Sequence, residues 1–284
     1  MNFWLFQALG GLSFAMLLFL LSAGLSLIFG LMKILNLAHG SFYLLSAYIG
    51  LSILKHTDSF LLAVVISFSV VPIIGVLIQR FFLSRFHLME LPQVLLTFGF
   101  IFIIGDICLW IWGGLPQALP KPEPFSHSIH FLGLVFPSYR ILVIVVGLLV
   151  AVGLWLFLDK TKVGSLVRAG VDDQEMARCV GVNVKMLFTG VFAVGSLLAA
   201  LAGILGGPFV GVYPGVDIDI LLFACVVVIV GGVGSLKGAF VGSLVIGMLD
   251  NFGKALFPEM SLFAIFLPMA IILAVRPRGL FGKE

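Results

Sequence analysis

Residues 139–158 read YRILVIVVGLLVAVGLWLFL, and residues 159–185, which follow directly, read DKTKVGSLVRAGVDDQEMARCVGVNVK. The first stretch is as long and as apolar as a helix that crosses a bilayer, which needs about 20 such residues. The second is the longest polar stretch of the chain, and apolar sequence follows it. Together they predict a membrane protein that carries a compact charged insert on one surface.

The composition of the whole chain favours the same class. Hydrophobic residues make up 61% of the 284 residues and charged residues 10%, whereas soluble domains carry about 25% charged residues. No basic run is interleaved with aromatic residues, so we expect no nucleic-acid partner. The first apolar stretch has no Lys or Arg before it and runs on into more apolar sequence, which predicts an uncleaved first span.

Side chains that carry enzyme chemistry form no recognisable pattern in the sequence. The five histidines show no metal-ligand spacing, and Cys108, Cys179 and Cys225 are far apart, which is typical of inert buried cysteines. No nucleophile and base are paired, and the segment Gly231–Ser235 lacks the spacing of a P-loop. We therefore expect no metal, no cofactor, no bound nucleotide and no enzyme activity.

The hydropathy pattern predicts an all-α fold. We expect a polytopic helical bundle of about eight or nine membrane segments, including a short broken or re-entrant segment, in one transmembrane domain over residues 1–284. Residues 38–54 and 218–233 are short and rich in small residues, so either of these two segments spans fully or re-enters. The candidate segments are residues 6–31, 38–54, 60–79, 93–112, 139–158, 187–210, 218–233, 238–256 and 261–275.

The distribution of basic residues predicts the orientation, because Lys and Arg concentrate in cytoplasmic loops. With the N-terminus outside and the C-terminus inside, the charged insert becomes a cytoplasmic loop at residues 159–187. The loop at residues 113–138, which holds five of the twelve prolines, becomes external and is expected to be irregular. The cytoplasmic basic residues are then Lys33, Arg80, Arg85, Lys160, Lys162, Arg168, Arg178, Lys185, Lys237, Arg276, Arg278 and Lys283, against external Lys55, Lys121, Arg140 and Lys254.

The insert contains the signals of a short helix. Asp172 with Glu175 three positions later resembles a capping box, and Asp173 adds a favourable charge at the same helix end. Gly181 is placed to supply a left-handed stop. We expect a helix of about two turns from Asp173 to Val180, which either lies on lipid or docks into another protein.

Several polar or small residues interrupt the apolar segments. Asn36, His39, Gly40 and Ser41 form one break, and Gly231, Gly232 and Gly234 form a second. Glycine-interrupted segments in the two halves of a transporter mark the translocation region, although capping and close helix packing are the alternatives. Asp106 and Asp250 are the acids in apolar surroundings, and each either faces a polar pathway or pairs with another helix.

Five blocks of this sequence resemble motifs of one family. Glu175–Gly181 is similar to the coupling motif of ABC importer permeases, in which Glu-Ala-Ala is followed by Gly four residues later. The other blocks, in the same order as in branched-chain amino acid permeases, are Asn36-Leu37-Ala38-His39-Gly40, Arg168-Ala169 through Gly181-Val182-Asn183, Gly231-Gly232-Val233-Gly234-Ser235 and Arg276-Pro277-Arg278-Gly279-Leu280-Phe281-Gly282. The chain departs from the pattern at Ser41, where many members have Glu.

The resemblance implies a permease subunit of an ATP-driven importer for branched-chain, hydrophobic amino acids in the bacterial inner (plasma) membrane. The most similar subgroup is the smaller permease of the two-permease, high-affinity system. The implied partners are a homologous second permease, two cytoplasmic ABC ATPase subunits, an external periplasmic substrate-binding protein and membrane lipid. Transport of urea or short amides, and ion-coupled secondary transport, are the alternative functions. The implied ATPase-coupling residues are Asp172, Asp173, Glu175, Ala177, Arg178 and Gly181.

Overall fold

The computed structural model describes residues 2–33, 35–86, 89–131 and 134–282. Within these ranges the chain is almost entirely helical, with one two-stranded antiparallel sheet. The helices are α1 (Asn2–Met32), α2 (His39–Thr57), α3 (Phe60–Phe81), α4 (Glu90–Trp112), α5 (Ser138–Lys160), α6 (Lys162–Asp172), α7 (Gln174–Cys179), α8 (Val184–Val210), α9 (Val216–Gly231), α10 (Leu236–Leu256) and α11 (Ser261–Val275). The strands are β1 (Ser128–Phe131) and β2 (Leu134–Pro137).

Each of the nine predicted membrane segments corresponds to one of these helices, so the polytopic helical bundle is confirmed. In the described residues, six helices are long and apolar enough to cross a membrane, namely α1, α3 with its extension to Phe86, α4, α5, α8 and α10. The helices α2, α9 and α11 fall outside this set. The figure of eight or nine membrane segments therefore stays a prediction.

The long first helix forms the centre of the bundle. α1 is apolar all round and is buried along most of its length, as expected for a helix surrounded by other helices. It packs against α5, α8, α9 and α10. By contrast, α4 and α5 lie at the periphery and present large apolar side chains outward, among them Phe102, Trp110 and Leu149. These outer surfaces suit contact with lipid or with another membrane subunit.

Small residues let the central helices approach closely. A Cβ on Gly24 of α1 would lie 2.7 Å from the backbone oxygen of Gly195 in α8, and one on Gly247 of α10 would lie 2.6 Å from Ala15. Such contacts are the usual basis of helix association in lipid, where burial of apolar surface gives no net gain. The many glycines of the sequence thus act first as packing residues.

The predicted external loop at residues 113–138 is more regular than the sequence indicated. Its last part forms the β1–β2 hairpin, with Ile129 paired to Phe136 and Ser128 paired to Pro137. Gln117 forms an isolated bridge with Val212 and accepts a 2.6 Å hydrogen bond from Lys55 Nζ. We call this side of the bundle the hairpin end.

Candidate functional site

The charged insert folds into two helices, which we call the handle (α6 and α7, residues 162–179). Thr161 caps α6, because its hydroxyl oxygen accepts the backbone N–H of Gly164 at 3.0 Å. The sequence signals in this region identified α7 alone, and α6 went unrecognised because it has no acid in its first turn and no base in its last. The side of the bundle that carries the handle is the handle end.

The cap of α7 differs from the predicted one. Asp173, and not Asp172, is the N-cap, and its Oδ1 accepts the backbone N–H groups of Glu175 and Met176 at 2.9 Å. Asp172 is instead the last residue of α6, so the predicted capping box with Glu175 is wrong. The reason is steric: the chain needs one extended residue between the two helices, and Asp173 occupies it with φ −151° and ψ 107°.

The end of α7 and its attachment to the bundle are well defined. Gly181 has a positive φ of +86°, the left-handed conformation that glycine adopts most readily. Ala177 is buried against the ends of α1 and α8, and Gln174 Nε2 donates a 2.6 Å hydrogen bond to the Leu31 carbonyl oxygen.

The outer face of α7 is open. Met176 and Val180 are 62% and 73% exposed, and Glu175 and Arg178 are exposed beside them. A helix this short is not stable alone in water. Its caps and its buried face therefore hold it in place, with the apolar side chains of its outer face exposed.

The first polar break lies deep inside the bundle. Asn36 and His39 are 2% and 0% exposed. His39 Nε2 donates to the carbonyl oxygen of Leu21 at 3.0 Å, which lies about 16 Å along α1 from Met32 at about 1.5 Å per residue. Among the described residues neither polar atom of the Asn36 side chain has a hydrogen-bond partner. The chain therefore re-enters the bundle after α1, and α2 begins below the surface.

A buried carboxylate that the sequence analysis missed lies next to this break. Ser41 donates a 3.0 Å hydrogen bond to Asp217 Oδ2, and both residues are buried. Gly40 packs against the backbone of Asp217, so the first turns of α2 and α9 meet. Helix N-termini carry partial positive charge, which offsets part of the cost of burying the Asp217 carboxyl group there. The sequence did not reveal this contact because Asp217 flanks the predicted segment 218–233.

The predicted break at Gly231, Gly232 and Gly234 also forms. α9 ends at Gly231, and Gly232 and Gly234 have φ of +101° and +77°. Gly234 packs on Gly30 of α1, and a Cβ at Gly30 would lie 3.1 Å from its Cα. The C-terminal segment closes over this break, where Leu280 N–H donates to Val230 O and Phe281 N–H to Gly231 O, each at 2.9 Å. Two separate sequence blocks thus meet at the handle end.

The two predicted intramembrane acids lie in different environments. Asp106 is exposed on the outer face of α4, among Phe102, Ile103 and Ile107, so its contact with a polar pathway or with another helix stays a prediction. Asp250 is 4% exposed, accepts a 2.8 Å hydrogen bond from Lys254, and lines a cavity at the hairpin end. Periodicity does not fix which face of a helix turns inward, so the sequence could not separate the two.

The cavity beside Asp250 has a volume of about 670 Å³ and lies between α1, α5, α8, α9, α10 and α11. Arg140, Asp219 and Lys254 also line it, and none of these three was a predicted site residue. Tyr213 donates a 3.2 Å hydrogen bond to Asp219 Oδ2 at the same wall. Burial, together with the Asp219 carboxylate, raises the pKa of the Tyr213 hydroxyl, which keeps it protonated as a donor.

The predicted pathway residues therefore fall in three places. His39 and Ser41 lie in the core with Asp217, Asp250 lies at the hairpin-end cavity, and Asp106 lies on the outer surface. The predicted coupling residues are grouped at the handle. The chain thus has an exposed helix face with apolar side chains at one end and a charged cavity at the other.

The sequence is similar to known transport permeases along almost its whole length. The family model described as "Branched-chain amino acid transport system / permease component" matches residues 7–275. The high-affinity branched-chain amino acid transport system permease protein BraD of Pseudomonas aeruginosa is 28% identical over 98% of this chain and 95% of that one. LivH of Escherichia coli (strain K12), with the same description, is 25% identical over 99% of this chain and 96% of that one.

One solved structure has a similar fold. PsaBC from Streptococcus pneumoniae, in complex with a Fab, matches with a TM-score of 0.50 and 13% sequence identity. The match covers 94% of this chain and 89% of that one. At this identity the likeness concerns the fold alone.

Proposed function

The chain belongs to the family of permease components of branched-chain amino acid transport systems, and from this premise we propose that it carries branched-chain, hydrophobic amino acids in an ATP-driven importer. It is a multi-pass inner-membrane protein. The observation that carries the proposal is the handle, a capped helix pair held on the bundle with an open outer face. We infer that this exposed face is where a partner that drives transport docks.

The proposed orientation places the handle in the cytoplasm. Basic residues gather at the handle end, where α1, α3 and α5 finish and α10 begins, and they include Lys33, Arg80, Lys160 and Lys237. Lys and Arg near the ends of membrane helices favour the cytoplasmic side. The hairpin end then faces outward, with the N-terminus outside and the C-terminus inside.

The proposed contact with the ATPase subunits is the exposed face of α7. Met176 and Val180 offer an apolar centre, and Glu175 and Arg178 offer a charged rim. Ala177 and Gln174 bind the opposite face to α1 and α8. Movement of docked ATPases would therefore be transmitted to the ends of these two central helices, which gives a physical route to alternating access.

The remaining proposed partners follow from the same importer architecture. A homologous second permease would cover part of the exposed apolar surface of α3, α4 or α5, which the single chain leaves open. A periplasmic binding protein would dock at the hairpin end, around residues 113–138. Both assignments are proposals about surfaces that these residues present.

The test uses the complete transporter, in which this chain is purified with its second permease, two ATPases and binding protein and reconstituted in proteoliposomes. We expect ATP-dependent leucine uptake that unlabelled leucine abolishes and urea does not. The double variant Glu175→Lys, Gly181→Val should insert into the membrane normally. Its leucine uptake should be at least tenfold lower, and less ATPase should co-purify with it. Glu90→Lys, which changes an exposed acid in the first turn of α4 and lies outside both the handle and the 113–138 segment, is the matched control.

Three outcomes would contradict the proposal. Uptake that needs an ion gradient and not ATP would favour a secondary transporter. Inhibition by urea and not by leucine would change the substrate. Full uptake and full ATPase retention in the handle variant would reduce α7 to an interfacial helix.

A further inference from the structure

The cavity at the hairpin end has the chemistry of an amino acid site. We propose that it binds a free zwitterionic amino acid with an apolar side chain, with the carboxylate on Arg140 and the ammonium group on Asp250. This rests on the proposed function and names the place where the permease first takes its substrate.

Arg140 carries a positive charge that no anionic side chain among the described residues pairs with. It is half-buried in the first turn of α5, and its guanidinium carbon lies 5.6 Å from the centre of the Phe209 ring. Throughout the part of the chain that the structure describes, it makes no hydrogen bond and no ion pair. A planar guanidinium is suited to bind a carboxylate through two parallel hydrogen bonds. The cavity beside it is the space that such a carboxylate would occupy.

Asp250 supplies the opposite charge. Its Oδ2 accepts the 2.8 Å hydrogen bond from Lys254, but its Oδ1 is buried and has no hydrogen-bond partner within residues 2–33, 35–86, 89–131 and 134–282. A buried acceptor without a donor is costly and is rare in native structures. The ammonium group of a ligand in the cavity would provide that donor.

The charge balance of the cavity selects the class of ligand. Four of the lining side chains are charged. The positive charges of Arg140 and Lys254 balance the negative charges of Asp219 and Asp250, so their formal charges sum to zero. A net cation or a net anion would disturb this balance, whereas a zwitterion preserves it. Urea is also neutral, but it has no full charges to meet the guanidinium and the carboxylate.

Most of the remaining wall is apolar. Phe14, Phe209 and Phe223 line the cavity, and Lys254 lies 5.7 Å and 5.9 Å from the ring centres of Phe14 and Phe223. The volume of about 670 Å³ falls in the usual range for small-molecule sites. An aliphatic side chain on these rings would complete the desolvation of the charged ends.

The first test measures ligand protection of a cysteine in the cavity of the assembled transporter without its binding protein. Val210→Cys lines the cavity and is placed in a background without Cys108, Cys179 and Cys225. Leucine should slow its modification by an impermeant thiol reagent. Isoamylamine, which lacks the carboxylate, and 4-methylpentanoate, which lacks the ammonium group, should need at least tenfold higher concentrations.

The second test pairs each ligand group with its residue. Arg140→Gln should weaken leucine protection at least tenfold and leave protection by isoamylamine unchanged. Asp250→Asn should also weaken leucine protection at least tenfold, and it should leave protection by 4-methylpentanoate unchanged. Arg85→Gln, which changes an exposed cation in the Leu83–Phe86 turn and outside the cavity, should leave protection by all three compounds unchanged.

The outcomes separate this inference from the proposed function. Absent leucine uptake in the complete wild-type transporter would overturn the function. Normal uptake without leucine protection, or with equal protection by leucine and both analogues, would overturn the site and leave the function standing. The analogue comparison uses no change at Arg140 or Asp250, so a folding defect in either variant does not remove the test.

Discussion

Ser41 illustrates how a single residue can fix the contact between two helices. Its hydroxyl is the side-chain donor to Asp217 Oδ2, at 3.0 Å, where the first turns of α2 and α9 meet. A Glu at this position would place a second carboxylate against Asp217, whereas the Ser41 hydroxyl supplies a donor.

Ser41→Ala is expected to destabilise the chain by about 1–3 kcal/mol, because Asp217 Oδ2 loses a buried hydrogen-bond donor. Thermal unfolding of the purified protein in detergent measures the loss. Ser69→Ala is the matched control, since Ser69 is exposed and its hydroxyl bonds only within α3. Equal unfolding temperatures for the two variants would show that the Ser41–Asp217 bond contributes little.

The different environments of Asp106 and Asp250 predict different changes in stability when each is replaced by Leu. Asp106→Leu should change the stability of the isolated chain by less than about 0.5 kcal/mol, as for most surface substitutions. Asp250→Leu should cost about 1–3 kcal/mol, because it removes the buried acceptor of Lys254. Thermal unfolding compares them directly. A large loss at Asp106 would mean that α4 has an inward face which the described packing does not contain.

At the scale of whole elements, the α9–α10 break is held by backbone contacts with the C-terminal segment. Gly279 has a φ of +78°, and a Cβ there would lie 2.6 Å from Gly232 N. The two chain segments thus approach more closely than side chains permit. This contact explains why glycines occur at both places in the sequence.

Gly232→Val is expected to displace the C-terminal segment. Its φ of +101° disfavours a side chain, at roughly 1–2 kcal/mol, and the new Cβ would run into the backbone of Gly282. Limited proteolysis near residues 276–282 should become faster. Gly153→Val in α5, where a Cβ meets nothing within 4 Å, is the control. Equal cleavage rates would contradict the expectation that the backbone contact at Gly232 holds the C-terminal segment.

The orientation of the whole molecule in the membrane can be tested by labelling the native Cys179. Cys179 at the end of α7 is exposed, whereas Cys108 is buried and Cys225 partly buried. An impermeant maleimide should label Cys179 in inverted vesicles and not in intact cells. Ser126→Cys, an exposed position near the hairpin, should show the reverse. Labelling of Cys179 from outside intact cells would reverse the topology and remove the handle from reach of cytoplasmic ATPases.

The sequence by itself determined the features that depend on local composition. Apolar runs of sufficient length predict spans wherever they occur, and the nine predicted segments all became helices. Gly181 predicted the left-handed end of α7 because only glycine adopts that backbone without cost. The motif blocks identified the family because their order and spacing are encoded directly in the chain.

Tertiary structure alone decided which polar side chains meet. Ser41 and Asp217 are 176 residues apart, and the cavity brings Arg140 together with Asp250 from separate helices. Hydropathy is nearly uniform around these helices, so the sequence does not specify which face of each helix turns inward. That rotation follows from close packing at glycines such as Gly24 and Gly247. Close packing at Gly247 turns Asp250 of α10 inward. Among the described residues α4 has no such contact at Gly99 or Gly105, and Asp106 faces outward.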